Sequence, residues 1–300
     1  MKNTKRKNVW LRLKNAGPFK IIAFLLIALY TAVLLYVLLW GLLTAFKDEW
    51  DFVVGKNIFG LPSKEFGWCF TNFKDAYELF EVQIKGTEYA SAVQQYVNSL
   101  LYAGGVTIVA VFSKLLVAYA VAKYNFFLKK ILYFIAIFVM LLPIVGSLPS
   151  MLRVLRFLRI YDTYLGVLFM NCGFTGMYFL LYHAAFSSIS DTYREAAEID
   201  GAGHFTVLFK IMIPLVSSTT FAISIMTFIQ LWNAYEQPML YLPSMPTIAY
   251  GLFQFSKSSH SANAPALMSA TYMVCIPTII LFIIFRDKIM VNVSVGGIKG

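Results

Sequence analysis

The 300-residue chain is poor in charged residues. Asp, Glu, Lys and Arg together make up 13% of it, against about 25% in soluble globular domains. Hydrophobic residues make up 59%. This balance excludes an ordinary soluble domain and indicates an all-α membrane protein.

Cysteine and catalytic motifs are also scarce. Cys69, Cys172 and Cys275 lie far apart and fit no disulfide or metal spacing. The chain has no Gly-x4-Gly-Lys-Ser/Thr phosphate loop, no His-Glu-x-x-His and no Gly-x-Ser-x-Gly. We therefore expect a non-catalytic chain without metal or cofactor.

The chain carries a net charge of +10, but its cations do not form a nucleic-acid patch. Seven Lys and Arg lie in the first twenty residues, directly before an apolar run. Such a basic leader is a topology signal, and we expect no nucleic-acid partner.

Six apolar runs are long enough to span a bilayer at about 20 residues each. They predict transmembrane helices at 21–46, 96–122, 131–151, 163–187, 211–235 and 264–285. The first run exceeds the apolar core of a cleaved signal peptide, so we interpret it as a retained anchor.

The positions of Lys and Arg predict that both termini are cytoplasmic. In that orientation the cytoplasmic segments hold fifteen of these residues and the external segments nine. Arg153, Arg156 and Arg159 conflict with this topology, because they follow the third span on its outer side.

The spans divide the chain into five parts: a basic cytoplasmic leader (1–20), the first transmembrane helix (21–46), an external lobe (47–95), a five-helix transmembrane core (96–286) and a cytoplasmic tail (287–300). Within the core, 190–212 is predicted to be a cytoplasmic hairpin. Segment 236–263 is predicted to be a folded external loop, because prolines interrupt its aromatic residues. In the lobe, apolar spacing predicts a helix over 73–82.

The hairpin at 190–212 is the most informative stretch, since it is polar and lies between two apolar runs. Thr192 followed by Glu195 is a capping-box pattern, and Gly201 stands where a left-handed helix-ending residue is expected. The enclosed helix has two to three turns and is too short to be stable alone. A docked partner and a solvated reversal between two spans both fit these residues.

Lys114 is a cation inside the second predicted span, where a charge is a functional hypothesis by default. Its side chain has three possible roles. These are snorkelling to the headgroups at the Lys123 end, pairing with a partner subunit, and contact with an anionic sugar.

The outer end of the fifth predicted span combines aromatic rings with amides, as sugar-binding sites do. With Lys114, these residues form the predicted substrate path: Trp232, Asn233, Tyr235 and Gln237. An interfacial aromatic belt is the alternative. In the following segment, Tyr241, Tyr250, Phe253 and Gln254 are candidates for contact with a docked external protein, with packing between spans as the alternative.

The hairpin sequence resembles a known family. Glu-Ala-Ala, three residues, Gly, nine residues, Ile, one residue and Leu-Pro marks the permease subunits of binding-protein-dependent ABC importers. The matching residues are Glu195, Ala196, Ala197, Gly201, Ile211 and Pro214, and Ile213 replaces the Leu. The stretches 228–233 and 296–300 resemble the carbohydrate-uptake branch, typified by the smaller maltose-type permease subunit. The resemblance covers roughly residues 90–300.

The resemblance implies a type I ABC importer permease in a prokaryotic cytoplasmic membrane. Its expected partners are a second homologous permease in a heterodimer, two ATPase subunits that hold ATP and Mg, and a solute-binding protein that delivers a sugar or oligosaccharide. The hairpin is then the coupling helix over 191–203. Its expected ATPase-docking residues are Tyr193, Glu195, Ala196, Ala197, Glu198, Asp200, Gly201 and Gly203.

An ion- or proton-coupled secondary carrier is the alternative function. Such carriers usually place acidic residues at mid-membrane. All fifteen Asp and Glu of this chain lie in predicted loops or at span ends, which disfavours the carrier. A membrane-embedded enzyme is disfavoured because no catalytic constellation is present.

Overall fold

The computed structural model describes residues 18–142, 147–258 and 263–295. Over these residues the chain is helical, apart from one antiparallel hairpin of two strands. In chain order the elements are α1 (Pro18–Ala45), α2 (Glu49–Val53), α3 (Thr71–Glu78), β1 (Val82–Lys85), β2 (Glu88–Ala90), α4 (Ala92–Lys123), α5 (Lys129–Leu141), α6 (Ser147–Phe157), α7 (Tyr164–Asn171), α8 (Met177–Ser187), α9 (Thr192–Ile199), α10 (His204–Val207), a π turn (Leu208–Met212), α11 (Ile213–Leu215), α12 (Ser217–Trp232), α13 (Glu236–Tyr241), α14 (Ile248–Lys257) and α15 (Ala264–Val295).

The chain divides into two compact units. The first comprises residues up to 76 together with 263–272, and the second comprises 77–258 together with the residues from 273 on. The hairpin and the candidate substrate residues all belong to the second unit.

Three helices within the described residues are long and apolar enough to cross a membrane. They are α1, α4 and the Ala264–Arg286 part of α15, which coincide with the first, second and sixth predicted spans. His204–Leu215 and α12 together would make a fourth, bent by 76°. The number of six spans therefore stays a prediction.

The third and fourth predicted spans each contain two shorter helices. Residues 143–146, between α5 and α6, lie outside the described residues. Between α7 and α8, Gly176 has a φ of +103°. Side-chain-bearing residues rarely adopt this conformation, so the helical path is interrupted there.

The fifth predicted span contains a π turn and a sharp bend. Leu208–Met212 forms the π turn, and Pro214 follows in α11. Proline has no N–H to donate to the preceding turn, and its ring crowds that turn. Both features are recognised causes of helix kinks.

Helix α4 runs through the core of the second unit. Its buried side chains pack against α8 and against the start of the fifth predicted span. The cluster includes Leu115, Ala118, Tyr119, Phe179, Tyr182, Phe186, Met212 and Ile223.

The amino-terminal end of α4 is fixed by close packing. Gln95 is fully buried, and its Nε2 donates to two backbone carbonyls, each at 3.0 Å. The hydroxyl of Ser99 accepts from the backbone N–H of Ile248 at 2.7 Å. A Cβ added at Gly251 would lie 2.6 Å from Phe80 Cε1 and would overlap the Gln95 side chain, so this position requires glycine.

The part of the 47–95 segment that belongs to the first unit is folded around buried polar groups. The Lys47 ammonium donates to two backbone carbonyls at 2.7 and 3.0 Å. The Asp51 carboxylate accepts from Asn57 Nδ2 at 3.1 Å and from the Ser63 N–H at 3.0 Å. Burial lowers the pKa of Lys47, and the charge of Asp51 opposes that shift.

Elsewhere in this segment the helix predicted over 73–82 is α3, which begins two residues earlier and ends at Glu78. The β1–β2 hairpin was not predicted. The external position of the segment stays a prediction.

Within segment 236–263, residues 236–258 are folded, as predicted, and contain α13 and α14. The Asp162 carboxylate accepts from the backbone N–H and the hydroxyl of Ser244, at 3.0 and 2.6 Å. These bonds hold Asp162 at a φ of +59°. Residues 259–262 lie outside the described residues.

Candidate functional site

The hairpin between α8 and the π turn consists of α9, a left-handed turn and α10. Helix α9 has eight residues, within the predicted length of two to three turns. Gly201 has a φ of +83°, as predicted. A Cβ there would meet no atom within 4 Å, so the backbone conformation, and not crowding, favours glycine.

The predicted capping box of Thr192 and Glu195 is wrong. Thr192 is already the first residue of α9, and its N–H donates to the hydroxyl of Ser190 at 3.3 Å. The Glu195 N–H donates instead to the backbone carbonyl of Asp191 at 3.0 Å. The helix begins one residue earlier than the capping box requires, and Asp191, the residue before it, makes no side-chain capping bond.

One side of α9 is exposed to solvent. The side chains of Tyr193 and Ile199 are 55% and 86% exposed. Ala197 has the opposite orientation and packs against the core of the second unit, while Glu198 accepts two hydrogen bonds from Arg194 at 2.9 and 3.0 Å. Six of the predicted docking residues are exposed: Tyr193, Glu195, Ala196, Asp200, Gly201 and Gly203.

The hairpin is attached to the carboxy-terminal end of α4 by an ion pair. Lys123 Nζ lies 2.8 Å from Asp191 Oδ1 and also donates to the Ile189 carbonyl at 2.6 Å. The Lys123 side chain is 3% exposed and that of Asp191 is 57% exposed. The hydrogen bond and the charge of Lys123 lower the pKa of Asp191, so this carboxylate is ionised at neutral pH.

A second set of contacts joins the two arms of the hairpin to Tyr124, just after α4. The Tyr124 hydroxyl lies 3.1 Å from His204 Nδ1. The Arg194 guanidinium lies 6.0 Å from the centroid of the Tyr124 ring, within the range of a cation–π interaction. The bond to Glu198 raises the pKa of Arg194, so the guanidinium stays charged.

A cavity of about 430 Å³ lies in the second unit. Its volume is within the usual range for small-molecule sites, and nine of its twelve lining residues have a polar group in the side chain. The lining residues are Ala110, Lys114, Asn171, Tyr178, Thr227, Gln230, Leu231, Asn233, Ala234, Tyr235, Glu236 and Gln237.

The structure brings together four of the five residues of the predicted substrate path: Lys114, Asn233, Tyr235 and Gln237. Trp232 does not line the cavity. It is 1% exposed, and its Nε1–H donates to the Val274 carbonyl at 3.2 Å, so its role is in packing. Glu236, which lies in the same predicted stretch, also lines the cavity, whereas sequence reasoning missed Asn171, Tyr178, Thr227 and Gln230. Gln230 could have been predicted from the sequence, since it precedes Asn233 by three residues and so lies on the same helical face.

The residues predicted to contact a docked external protein are only partly available. Tyr241 is 1% exposed, and its hydroxyl donates to the Leu148 carbonyl at 3.1 Å, which excludes it from a free surface. The Phe253 ring stacks on Tyr235, with centroids 4.5 Å apart. Gln254 is exposed and donates to the Tyr250 hydroxyl at 3.0 Å.

The described residues contain no group of three or more His, Cys, Asp and Glu close enough to hold a metal ion. The candidate site therefore has two parts. One is the cavity, which α4 lines with Ala110 and Lys114, and the other is the charged hairpin, which is bound to the carboxy-terminal end of α4.

Comparison with known proteins identifies the family of this chain. The model of the family "Binding-protein-dependent transport system inner membrane component" matches residues 114–291. The diacetylchitobiose uptake permease NgcG of Streptomyces coelicolor is 23% identical, over 93% of this chain and 88% of its own length. The arabinooligosaccharide transport permease AraQ of Bacillus subtilis is 26% identical, over 68% of this chain and 73% of its own.

A solved structure shares the fold. It is a bacterial ABC transporter involved in the import of the acidic polysaccharide alginate, with a TM-score of 0.74 and 21% identity. The match covers 90% of this chain and 95% of that one. The fold is therefore that of a type I ABC importer permease. Because the family model matches more than half of its residues, the chain belongs to the inner membrane components of binding-protein-dependent transport systems.

Proposed function

We propose that this chain is one permease subunit of an ATP-driven importer of a sugar or oligosaccharide. Support for the sugar comes from relatives named for oligosaccharide uptake and from the cavity, where amides and tyrosines offer hydrogen bonds to hydroxyl groups. Two relatives named for the uptake of such sugars match over 93% and 77% of the chain.

The proposed topology has six spans with both termini in the cytoplasm. The hairpin then faces two cytoplasmic ATPase subunits that carry ATP and Mg. A second, homologous permease completes the channel, and the solute-binding protein docks on the opposite side of the membrane. The excess of Lys and Arg in the predicted cytoplasmic segments supports this orientation.

The hairpin is the observation that carries the proposal. It presents Tyr193, Glu195 and Ile199 to a partner, while Lys123 fastens Asp191 to the end of α4. Helix α4 also contributes Ala110 and Lys114 to the cavity. A push on the hairpin when the ATPases close therefore acts directly on a helix that lines the substrate cavity.

Two substitutions in the hairpin test the proposal. Gly201→Asp places a side chain in a left-handed conformation, and Glu195→Lys reverses an exposed charge of the docking surface. Each variant should insert normally and lose both uptake and transport-coupled ATP hydrolysis. Glu81→Lys, an exposed charge reversal outside the hairpin, is the matched control and should keep both activities.

Co-purification separates this function from the secondary carrier. Two ATPases and a second permease should purify with the wild-type chain, and Glu195→Lys should weaken recovery of the ATPases alone. Full uptake by both hairpin variants, or purification of an active carrier without any ATPase, would refute the proposal.

A further inference from the structure

Lys114 points along α4 towards the middle of the helix, away from its Lys123 end. Its Nζ donates to the Ala110 carbonyl at 3.2 Å, one turn nearer the amino terminus. Helical side chains lean in this direction. The side chain is half-buried and lines the cavity. Snorkelling towards the Lys123 end, one of the three alternatives raised by the sequence, therefore does not describe this lysine.

The charge of Lys114 has no acidic partner among the residues that the structure describes. An ammonium has three N–H donors, and only the bond to Ala110 is formed here. Lys123, nine residues later on the same helix, has Asp191 at 2.8 Å. An unpaired cation in a membrane span is costly, so its presence in the cavity favours an anionic ligand.

The lining residues of the cavity include one carboxylate. Glu236 lines the cavity, and the next residue, Gln237, accepts a hydrogen bond from the Tyr102 hydroxyl at 3.1 Å. Tyr102 precedes Lys114 by twelve residues on α4, which corresponds to roughly 18 Å of helix rise. The bond to Tyr102 therefore places Gln237 beside an earlier part of α4 than Lys114.

Neutral groups suited to sugar hydroxyls complete the wall. Asn171, Gln230 and Asn233 contribute amides that donate and accept. The Tyr235 ring is held nearly parallel to Phe253, at 11°, and offers a flat aromatic surface.

We propose that Lys114 forms a subsite for an anionic group on the transported sugar, so that this permease selects acidic sugars over neutral ones. The shared chemistry is a carboxylate of a uronic acid or a phosphate ester, bound by the two free N–H donors of the ammonium. The inference rests on the proposed function as a sugar importer.

The test measures initial uptake into proteoliposomes that contain the whole transporter and its cognate binding protein. Three probes are compared: a galacturonic acid disaccharide, its neutral galactose counterpart, and galactose 1-phosphate. Wild type should import at least one charged probe faster than the neutral one, and the faster charged probe identifies carboxylate or phosphate as the ligand.

Variants at Lys114 assign the selectivity to this side chain. Lys114→Gln should lower uptake of the preferred charged probe by about tenfold or more, as expected when a hydrogen bond to a charged group is lost. Lys114→Arg should keep most of the uptake. Lys130→Gln, which removes an exposed cation elsewhere, should change nothing.

Three results would overturn the subsite: a wild type that prefers the neutral disaccharide, full charged-probe uptake by Lys114→Gln, or an equal loss for charged and neutral probes. The last result would mean a purely structural role. Import of the neutral disaccharide alone leaves the proposed function intact, whereas import of none of the probes overturns the sugar assignment together with the subsite.

Discussion

The two ends of α4 are held in different ways. At the amino-terminal end, Gln95 and Ser99 are buried in a packed, uncharged environment. Gly251 packs so closely against Gln95 that a Cβ at this position would overlap the glutamine side chain. At the carboxy-terminal end, Lys123 contacts an Asp191 side chain that is 57% exposed. Dense packing resists any displacement, while the ion pair joins a Lys123 side chain that is only 3% exposed to a partner that water reaches. The helix is therefore held by uncharged packing at one end and linked to the hairpin by a pair of charges at the other.

The largest expected effect comes from disrupting the packing at the amino-terminal end of α4. Gly251→Ala forces a methyl group against Phe80 and the fully buried Gln95, and overpacking of this kind costs about 1–3 kcal/mol. The thermal unfolding midpoint of the detergent-solubilised protein should fall clearly. Gly104→Ala on α4 is the matched control, because a Cβ there meets nothing within 4 Å. Equal midpoints for the two variants would contradict the distinction between the ends.

An intermediate effect is expected from breaking the ion pair. Lys123→Met removes both bonds that tie α4 to the hairpin while leaving the packed end intact. Transport-coupled ATP hydrolysis should fall by about fivefold or more, the usual scale of coupling between sites, with little change in the unfolding midpoint. The double variant Lys123→Asp with Asp191→Lys should recover part of the coupling. Unchanged coupling in Lys123→Met would assign the transmission to the Tyr124 contacts instead.

The smallest expected effect is the pH dependence of the ion pair at the carboxy-terminal end of α4. The pKa of Asp191 is lowered in the folded protein, so the stabilisation from its pair with Lys123 is fully present above the ordinary Asp pKa and is lost as pH falls through the lowered value. Wild type and Asp191→Asn should differ in hairpin hydrogen exchange by a constant factor from about pH 5 upward, and the difference should vanish in stronger acid. A difference that disappears between pH 5 and 7 would point to another titrating group.

The sequence predicted the hairpin well, because its signals are local. A glycine after a short polar helix specifies a left-handed turn whatever surrounds it, and Gly201 adopts it. The capping box was wrong, since Thr192 lies inside the helix and Asp191, the residue before it, makes no side-chain capping bond. Long uninterrupted apolar runs likewise predicted α1, α4 and α15.

The cavity was less predictable, because its wall is assembled from distant segments. Asn233, Tyr235 and Gln237 are close in sequence and were found together, whereas Asn171 and Tyr178 reach the cavity from either side of the Gly176 break. Trp232 and Tyr241 were misassigned for one physical reason. A ring with a polar atom serves a sugar or a buried carbonyl equally well, and the carbonyls of Val274 and Leu148 become apparent only in the fold.

The π turn at Leu208–Met212 sets the direction in which the hairpin emerges from the fifth predicted span. A π turn accommodates one residue more than an α-helical turn, and one residue corresponds to about 100° of rotation around a helix axis. Deleting a single residue here, such as Phe209, would restore a regular helix and swing Tyr193 and Ile199 roughly a quarter of the way around that axis. The direction in which the proposed ATPase-docking surface faces therefore depends on the length of this one turn.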